Sequence, residues 1–476
     1  MSTSAAQSCH KKAVDFLLSR INYERAISIP YYKREFRLDR MLDLLDRLGN
    51  PQDRLKIIHV AGTKGKGSTS AMIAAALSAA GYRAGLYTSP HVDRLEERLM
   101  VDGQPCPEEI FGNLVERVRP IVEQMDVQSG RPYAPELGVT YFEVITAIAL
   151  LHFVAVGADV AVIEVGLGGR LDSTNVCQPL ISVITSISLD HTQQLGNTLT
   201  EIASEKAGII KPGIPVISGV IDEEPRRVIA DIAQQHRCRL LQLGVDFTCQ
   251  YRSPSGLDRT ESITNAKLDF ENHMRGSLQN MTDVDVGLLG RHQAMNAAVA
   301  LAVLTELRSQ GWHLPEVAIR RGLANVRLPA RLEIVARRPT VVVDAAHNVA
   351  SIQALLDTLK ESFLASRRLL VFAATQEKDV RGMLRLLLPH FEAVILTRYL
   401  NNPRCMDLEE LGLLVAELST MPRFICIDPA TAWRKACELV TEEHLMCVTG
   451  SFFLAAEMRA EIAQNPLKLS KKTIVL

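Results

Sequence analysis

Apolar positions along the chain fall into two rhythms whose alternation predicts a layered α/β protein. The stretch to about Asn50 reads helical, because Phe36, Leu38, Met41, Leu42, Leu44, Leu45 and Leu48 are apolar with charges between them. Gly49-Asn50-Pro51 stops that helix. Residues 55–61 read as a buried strand and residues 62–67 as a Gly-rich turn. A helix to about Ala80 follows, capped by Ser68 and closed by Gly81. With the short strand at residues 83–87 this makes a βαβ unit, the building block of a parallel sheet.

Further buried strands are expected at residues 159–165, with Glu164 near the end, at 180–187, ending near Asp190-His191, and at 215–220. Residues 246–285 are polar and weakly periodic, and read as an irregular or antiparallel insertion at the sheet edge. Residues 293–307 return to helix. Near Arg327-Leu-Pro329-Ala330-Arg331 the pattern resets, and Pro329 marks a hinge. Residues 340–343 form a β-branched strand ending at Asp344. Helix and strand then alternate over 351–360, 369–373, 381–388, 393–397, 408–418, 423–427, 430–440 and 445–449. The expected fold class is α/β: a P-loop-type parallel-sheet domain, residues 1–329, followed by a smaller Rossmann-like domain, residues 330–476. No solenoid-type repeat is present.

Composition narrows the function classes. Lys and Arg number 53 and Asp and Glu 54, a net charge of −1, with 47% hydrophobic and 22% charged residues. These values exclude a disordered chain and a globally basic nucleic-acid binder. The most apolar stretch, residues 144–156, carries Thr146 and His152, and no apolar run is long enough to span a bilayer. Residues 1–12 lack the apolar core of a secretory signal. The nine cysteines show no C-x-x-C pair and are odd in number, which argues against a disulfide framework or zinc knuckle. Free thiols in a reducing cytoplasm are expected.

The strongest chemical signal is Gly62-Thr63-Lys64-Gly65-Lys66-Gly67-Ser68-Thr69, between strand and helix. Glycines let the backbone wrap phosphate oxygens, and the helix N-terminus favours an anion. Lys66 can reach the β- and γ-phosphates, and a hydroxyl at Ser68 or Thr69 can ligate Mg²⁺. The strict pattern G-x-x-x-x-G-K-[ST] fails, because Gly67 separates lysine from hydroxyl. The plainer alternative is a Gly-rich turn in a parallel sheet. Glu164, before Gly166-Leu-Gly168-Gly169-Arg170-Leu171-Asp172, is a carboxylate suited to Mg²⁺. Asp190-His191 falls where adjacent parallel strands end, which is where α/β ligands bind, although a lone histidine is more often structural. Three more strings stand out: Ser204-Glu205-Lys206-Ala207-Gly208-Ile209, Arg291-His292-Gln293-Ala294-Met295-Asn296 and Asp344-Ala345-Ala346-His347-Asn348. By itself Lys206 reads as a surface or ion-paired lysine, and His292 as part of an ordinary helix start.

Taken in order, H-V-A-G-T-K-G-K-G-S-T from His59, T-S-P-H from Thr88, T-Y-F-E from Thr140, E-V-G-L-G-G-R-L-D-S-T-N from Glu164, L-D-H from Leu189, E-K-A-G-I from Glu205, G-R-H-Q from Gly290, D-A-A-H-N from Asp344 and T-G-S from Thr449 form one resemblance. The chain resembles the folylpolyglutamate synthase/dihydrofolate synthase family of the Mur ligase superfamily, from about Arg37 to Phe453. The resemblance implies an ATP-dependent acid–amino-acid ligase. It would add L-glutamate to dihydropteroate or a reduced folate through an acyl phosphate. Gly62, Thr63, Gly65, Lys66, Gly67, Ser68 and Thr69 would cradle the triphosphate. Ser68 and Glu164 would hold one Mg²⁺, and Ser89 and His191 a second, with Lys206 carbamylated as a further metal ligand. Asn296 is implied on the adenine side, and Asp344 on the ribose side. Arg331 and His347 would act near the phosphates and the acyl phosphate, and Ser451 at the glutamate site. ATP would lie between the two domains. Thr140, Tyr141, Phe142, Leu171, Asp172 and Ser173 are implied for the pterin substrate, with residues 36–40 loosely so.

Two departures bear on this. The family usually has Gly at the positions of Ala330 and Ala345, which costs about 1 kcal/mol each if φ must be positive there. A Mur-type ligase acting on a nucleotide-linked cell-wall precursor and a non-ligase P-loop NTPase are the alternatives. T-Y-F-E and T-S-P-H favour folate over the first, and Asp344 and His347 in a second α/β domain argue against the second. No nucleic-acid or membrane partner is expected, and the family expectation is a monomer.

Overall fold

The computed structural model describes residues 3–22, 38–128, 138–260, 264–273 and 280–466, the side chains of the first few excepted. Phe36 and Arg37 of the expected first helix lie outside the described residues. The chain forms two compact units. The first gathers Met1–Gln250, Leu268–Val286 and Gln293–Val326, the second Tyr251–Lys267, Gly287–His292 and Arg327–Leu476.

The first unit is built on eight strands: β1 Ile57–Ala61, β2 Ala84–Tyr87, β3 Leu99–Val101, β4 Gln104–Pro105, β5 Val160–Glu164, β6 Ile181–Ile184, β7 Val216–Ser218 and β8 Leu240–Gln242. Their order is β4-β3-β2-β5-β1-β6-β7-β8. Strands β2, β5, β1, β6, β7 and β8 run parallel, and β3 and β4 close one edge antiparallel. Every residue of β1 and β5 is buried. That explains why they read as unbroken apolar runs rather than alternating ones. The register pairs Val60 with Glu164 and Ala61 with Ile184, so β1, β5 and β6 end side by side. Loops leaving that end share the crevice where parallel sheets bind ligands.

The helix after β1 runs Lys66–Ala79, and its N-cap is Gly65 rather than Ser68. Gly65 has φ +83°, a left-handed conformation open to glycine, so the chain turns into helix three residues earlier than a hydroxyl cap would place it. No side chain caps that end. Elsewhere capping boxes are common: Thr140 opens Tyr141–Ala155, Thr198 opens Leu199–Ala207, Asn348 opens Val349–Ser362 and Asp428 opens Pro429–Leu439.

The segment expected as an edge insertion instead forms its own sheet: β9 Phe247–Arg252, β10 Ala266–Asn272 and β11 Met281–Val286, in the order β11-β10-β9. Burial alternates along β10 and places Ala266, Leu268 and Phe270 inside. The polar residues between them hid the strand pattern.

The second unit contains β12 Glu333–Ala336, β13 Thr340–Val343, β14 Arg368–Phe372, β15 Ala393–Leu396, β16 Arg423–Ile425 and β17 Leu445–Thr449. The order is β12-β13-β17-β14-β15-β16, with β12 antiparallel to β13 and the other pairs parallel. Alternate residues feed two cores. Val342, Leu370, Val394 and Cys447 point to one face, and Val341, Val343, Val371, Ile395 and Val448 to the other. This is the expected doubly wound arrangement, with an antiparallel edge strand that the apolar pattern did not reveal.

Ala330 has φ +54° and is fully buried, whereas Ala345 is absent from the positive-φ residues. The Ala330 amide donates to Glu333 Oε2 at 2.8 Å and its carbonyl accepts from the Ala345 amide at 2.9 Å, so the backbone is held there. A Cβ in this region costs about 1–2 kcal/mol, partly offset by the extra freedom glycine brings to the unfolded chain. Ala330→Gly is expected to raise stability by up to about 1 kcal/mol, read as a higher denaturation midpoint. Ala345→Gly, with no strain to relieve, should lower it by about the same amount. Equal effects of the two would contradict the strain argument.

Candidate active site

Residues 62–67 leave β1 and are fastened from outside the motif. The Thr63 amide donates to Ser186 O at 2.7 Å, and the Lys64 amide to Ser186 Oγ at 3.0 Å. Thr185 Oγ1 donates to Lys64 O at 2.6 Å, and Lys64 Nζ pairs with Asp190 Oδ2 at 2.7 Å. A side chain on Gly65 would run into Asn296 Oδ1, so Asn296 lies directly against the loop. Its Nδ2 donates to Gln293 Oε1 at 3.0 Å. This is a cradle of backbone, open at an uncapped helix N-terminus, which suits phosphate oxygens. The Thr69 hydroxyl is buried without a hydrogen-bond partner.

Glu164, at the end of β5, brings a buried carboxylate to the same place. Its Oε2 accepts from the Ser89 amide at 3.3 Å, and its Oε1 lies 3.9 Å from Lys66 Nζ. Oε2 would be 3.2 Å from a Cβ placed on Gly67. Lys206 is 4% exposed and donates from Nζ to Gly62 O at 2.9 Å. Burial, assisted by the positive charge of Lys66, pulls its ammonium down to about 7. His191 is more peripheral: it caps a short helix with φ +51°, its side chain is 49% exposed, and Nε2 stands 4.0 Å from Asp190 Oδ1. Thus Gly62, Lys66, Gly67, Ser89, Glu164, Lys206 and Asn296 gather at one end of the sheet. Lys64, Thr185, Ser186 and Asp190 support them. These supporting contacts span more than 120 residues, and no local sequence pattern marks them.

The residues implied for the pterin are divided in their use. Thr140 is a helix cap that accepts from the Glu143 amide at 3.3 Å, and Glu143 is in turn gripped by Arg40 Nε at 2.9 Å. Tyr141 is buried, with the Arg98 guanidinium 5.4 Å from its ring centre. Phe142 is half-buried, and its ring packs on Gly166. Asp172 is buried and its oxygens hold residues 166–174: Oδ2 accepts from the Leu167 amide at 2.9 Å, and Oδ1 from the Thr174 amide at 3.0 Å. Leu171 and Ser173 are half-buried.

In the second unit, Asp344 follows β13. Its Oδ2 accepts from the Leu332 amide and its Oδ1 from the Ala346 amide, each at 2.8 Å. Burial pushes its carboxyl up, and the nearby Arg331 guanidinium opposes that. Arg331 is exposed. His292 is pushed down to about 4 by burial and by Arg331. His347 Nδ1 donates to Ala345 O at 2.9 Å. Ser451, 1% exposed, caps the Phe452–Gln464 helix and shares a hydrogen bond with Tyr399, whose phenol meets Thr375 Oγ1 at 2.9 Å.

Residues 60–304 match the Mur ligase middle domain, and residues 330–452 match the Mur ligase, glutamate ligase domain. The dihydrofolate synthase/folylpolyglutamate synthase of Bacillus subtilis is 38% identical over 353 residues, which are 74% of this chain and 78% of that protein. The chain belongs to the folylpolyglutamate synthase/dihydrofolate synthase family of Mur ligases. Its relative from Lacticaseibacillus casei, a folylpolyglutamate synthase, is 36% identical over 88% of this chain and 93% of that protein. Among solved family ligases, the Mycobacterium tuberculosis folylpolyglutamate synthase complexed with ADP superposes with a TM-score of 0.84 at 31% identity, covering 97% of this chain and 100% of that one. An FPGS-AMPPCP-folate complex gives 0.77 at 32% identity over 94% and 98% of the two chains. The family's middle domain spans the cradle from Gly62 to Asn296, and its glutamate ligase domain spans Arg331 to Ser451.

Proposed function

We infer that this enzyme uses ATP to join L-glutamate to dihydropteroate, to a reduced folate, or to both. The γ-phosphoryl group passes to the substrate carboxylate, giving ADP and an acyl phosphate. The glutamate amine attacks the acyl carbon, a C–N bond forms, and phosphate leaves with the C–O bond electrons while the amine loses its proton. The observation that carries this reading is the gathering of Lys66, Glu164 and Lys206 about the Gly-rich cradle, in a chain of this family. The division of labour we propose places ATP and folate binding in residues 1–329 and glutamate ligation in residues 330–476.

Each residue has a task that its geometry suits. The amides of residues 65–69 and Lys66 bind the triphosphate and draw negative charge off the transferring group. Asn296 lies beside the cradle, on the adenine side. Arg331 and Asp344 serve the phosphates and ribose, His347 orients the reacting carboxylate and amine, and Ser451 takes the glutamate. Phe142 offers a flat face to the pterin or aminobenzoate.

The residues present fit Mg²⁺. Among the described residues no three His, Cys, Asp or Glu side chains form a cage. Glu164 is a single buried carboxylate facing a phosphate cradle. Mg²⁺ commonly takes one or two carboxylates and completes its shell with phosphates and water. Ser68 and Glu164 would hold one ion, and Ser89, His191 and a carbamylated Lys206 a second. Bound there, Mg²⁺ neutralises phosphate oxygens. Lys206 is suited to carbamylation because burial leaves much of its amine neutral near pH 7. The amine nitrogen bonds to the carbon of CO₂ and a proton is released.

No helix of the described residues is long and apolar enough to cross a membrane, and we place the enzyme in the cytoplasm as a monomer. Mass analysis decides the reaction. With ATP, glutamate and either dihydropteroate or tetrahydrofolate, at least one acceptor should gain a glutamyl unit, with ATP hydrolysis dependent on glutamate and that acceptor. Hydrolysis unaffected by glutamate and by both acceptors, with no heavier product from either acceptor, would sink the reading.

A further inference from the structure

We propose that His59 is a positioning residue for the loop at residues 166–172, acting through Thr174 and Asp172. The proposal rests on the function proposed above, with Leu171, Asp172 and Ser173 set against the pterin substrate as the family resemblance implies. His59 lies in the middle of β1, fully buried, between Ile163 of β5 and Ser182 of β6. It is three residues before the phosphate cradle, but its side chain serves another loop. Its Nε2 meets Thr174 Oγ1 at 2.8 Å, and that hydroxyl donates to Asp172 Oδ1 at 2.5 Å.

Proton counting fixes the direction of this chain. A hydroxyl has one proton, and Thr174 gives it to the carboxylate. His59 must therefore donate from Nε2, which leaves Nδ1 bare. Nδ1 is buried and has no hydrogen-bond partner, as this tautomer requires. A second proton would find no acceptor there, and burial accordingly holds the imidazole down at about 3. His59 is thus placed as a hydrogen-bond donor in its neutral form rather than as an acid or base.

The carboxylate at the far end organises the loop. Asp172 holds the amides of Leu167 and Thr174, and Asn175 Nδ2 donates to the carbonyls of Arg170 and Gly208 at 3.0 Å each. At one end the loop packs on Phe142 through Gly166. At its middle, a Cβ on Gly169 would lie 2.8 Å from the carbonyls of Glu205 and Lys206. Without the His59 donor, the Thr174 hydroxyl loses the partner that directs its proton at Asp172, and the loop loosens where it meets the substrate ring.

The test compares His59→Leu with His59→Gln, whose amide Nε2–H reaches about as far as the ring donor. His59→Leu should raise KM for whichever of dihydropteroate and tetrahydrofolate the wild type glutamylates about tenfold, the scale of one buried hydrogen bond, with KM for ATP changed less than about twofold. Hydrogen exchange at the Leu167 amide should quicken by a similar factor, and His59→Gln should restore both to within about threefold. Thr174→Val should mimic His59→Leu, and carries the same test if the leucine variant does not fold. Unchanged KM and exchange in the leucine or valine variant would overturn the proposal. So would a parallel rise of both KM values without glutamine rescue, which marks general support of the sheet. If the wild type makes no glutamylated product, the functional reading fails, while the exchange measurement still reports on the relay itself.

Discussion

Glu164→Ala is expected to reduce turnover by about 10³-fold even at saturating Mg²⁺, the scale on which a lost electrostatic stabiliser acts. Three observations converge on this residue. Its carboxylate is buried at the end of β5, beside the end of β1. It touches the Ser89 amide and stands 3.9 Å from Lys66 Nζ. It also faces Gly67 in the Gly-rich cradle. A buried carboxylate in such company balances cations rather than packing against apolar groups. Glu164→Gln should fail almost as badly, because an amide keeps the shape and loses the charge. Thermal denaturation should show that both variants fold. Turnover within a few fold of wild type at high Mg²⁺ would refute the role.

Lys206→Ala should show a loss of similar size, with a distinguishing signature. Short carboxylic acids should restore part of the activity by supplying the oxygens that a carbamate would provide. Depleting dissolved CO₂ should weaken the wild type but not the variant. The sign of the pH effect follows from burial. The neutral amine is the form that reacts with CO₂, and it gains over the ammonium as pH rises through about 7. CO₂ dependence should therefore be sharpest on the acid side of that value. Full turnover of Lys206→Ala without added acids would end the idea.

The parts of the fold legible in the sequence were those decided locally. β1 and β5 are buried on both faces, so their apolar runs stood out, and β13 begins and ends where its β-branched residues do. Ser68 reads as a cap because hydroxyls usually take that place, while the deciding quantity is the φ of Gly65. The strands β9 to β11 were obscured because one face is polar, and β12 because its partner β13 follows it antiparallel in a short irregular ladder. In the site, the cradle and Glu164 could be read as motifs. The grip of Asp190 on Lys64 could not, nor the chain from His59 to Asp172, since each joins side chains more than 110 residues apart. Lys206 by itself reads as an ordinary surface lysine, because its burial against Gly62 O joins residues far apart in the chain.

The bare start of the Lys66–Ala79 helix has a further consequence. Several other helices carry a side chain over their first turn, whereas this one begins at a glycine. In the function proposed above, its leading amides receive the phosphates of ATP. The nucleotide would then complete a piece of secondary structure as well as entering the reaction. Since such a ligand would bind only the folded chain, the cell's ATP pool would become part of what keeps this enzyme resistant to heat and proteases.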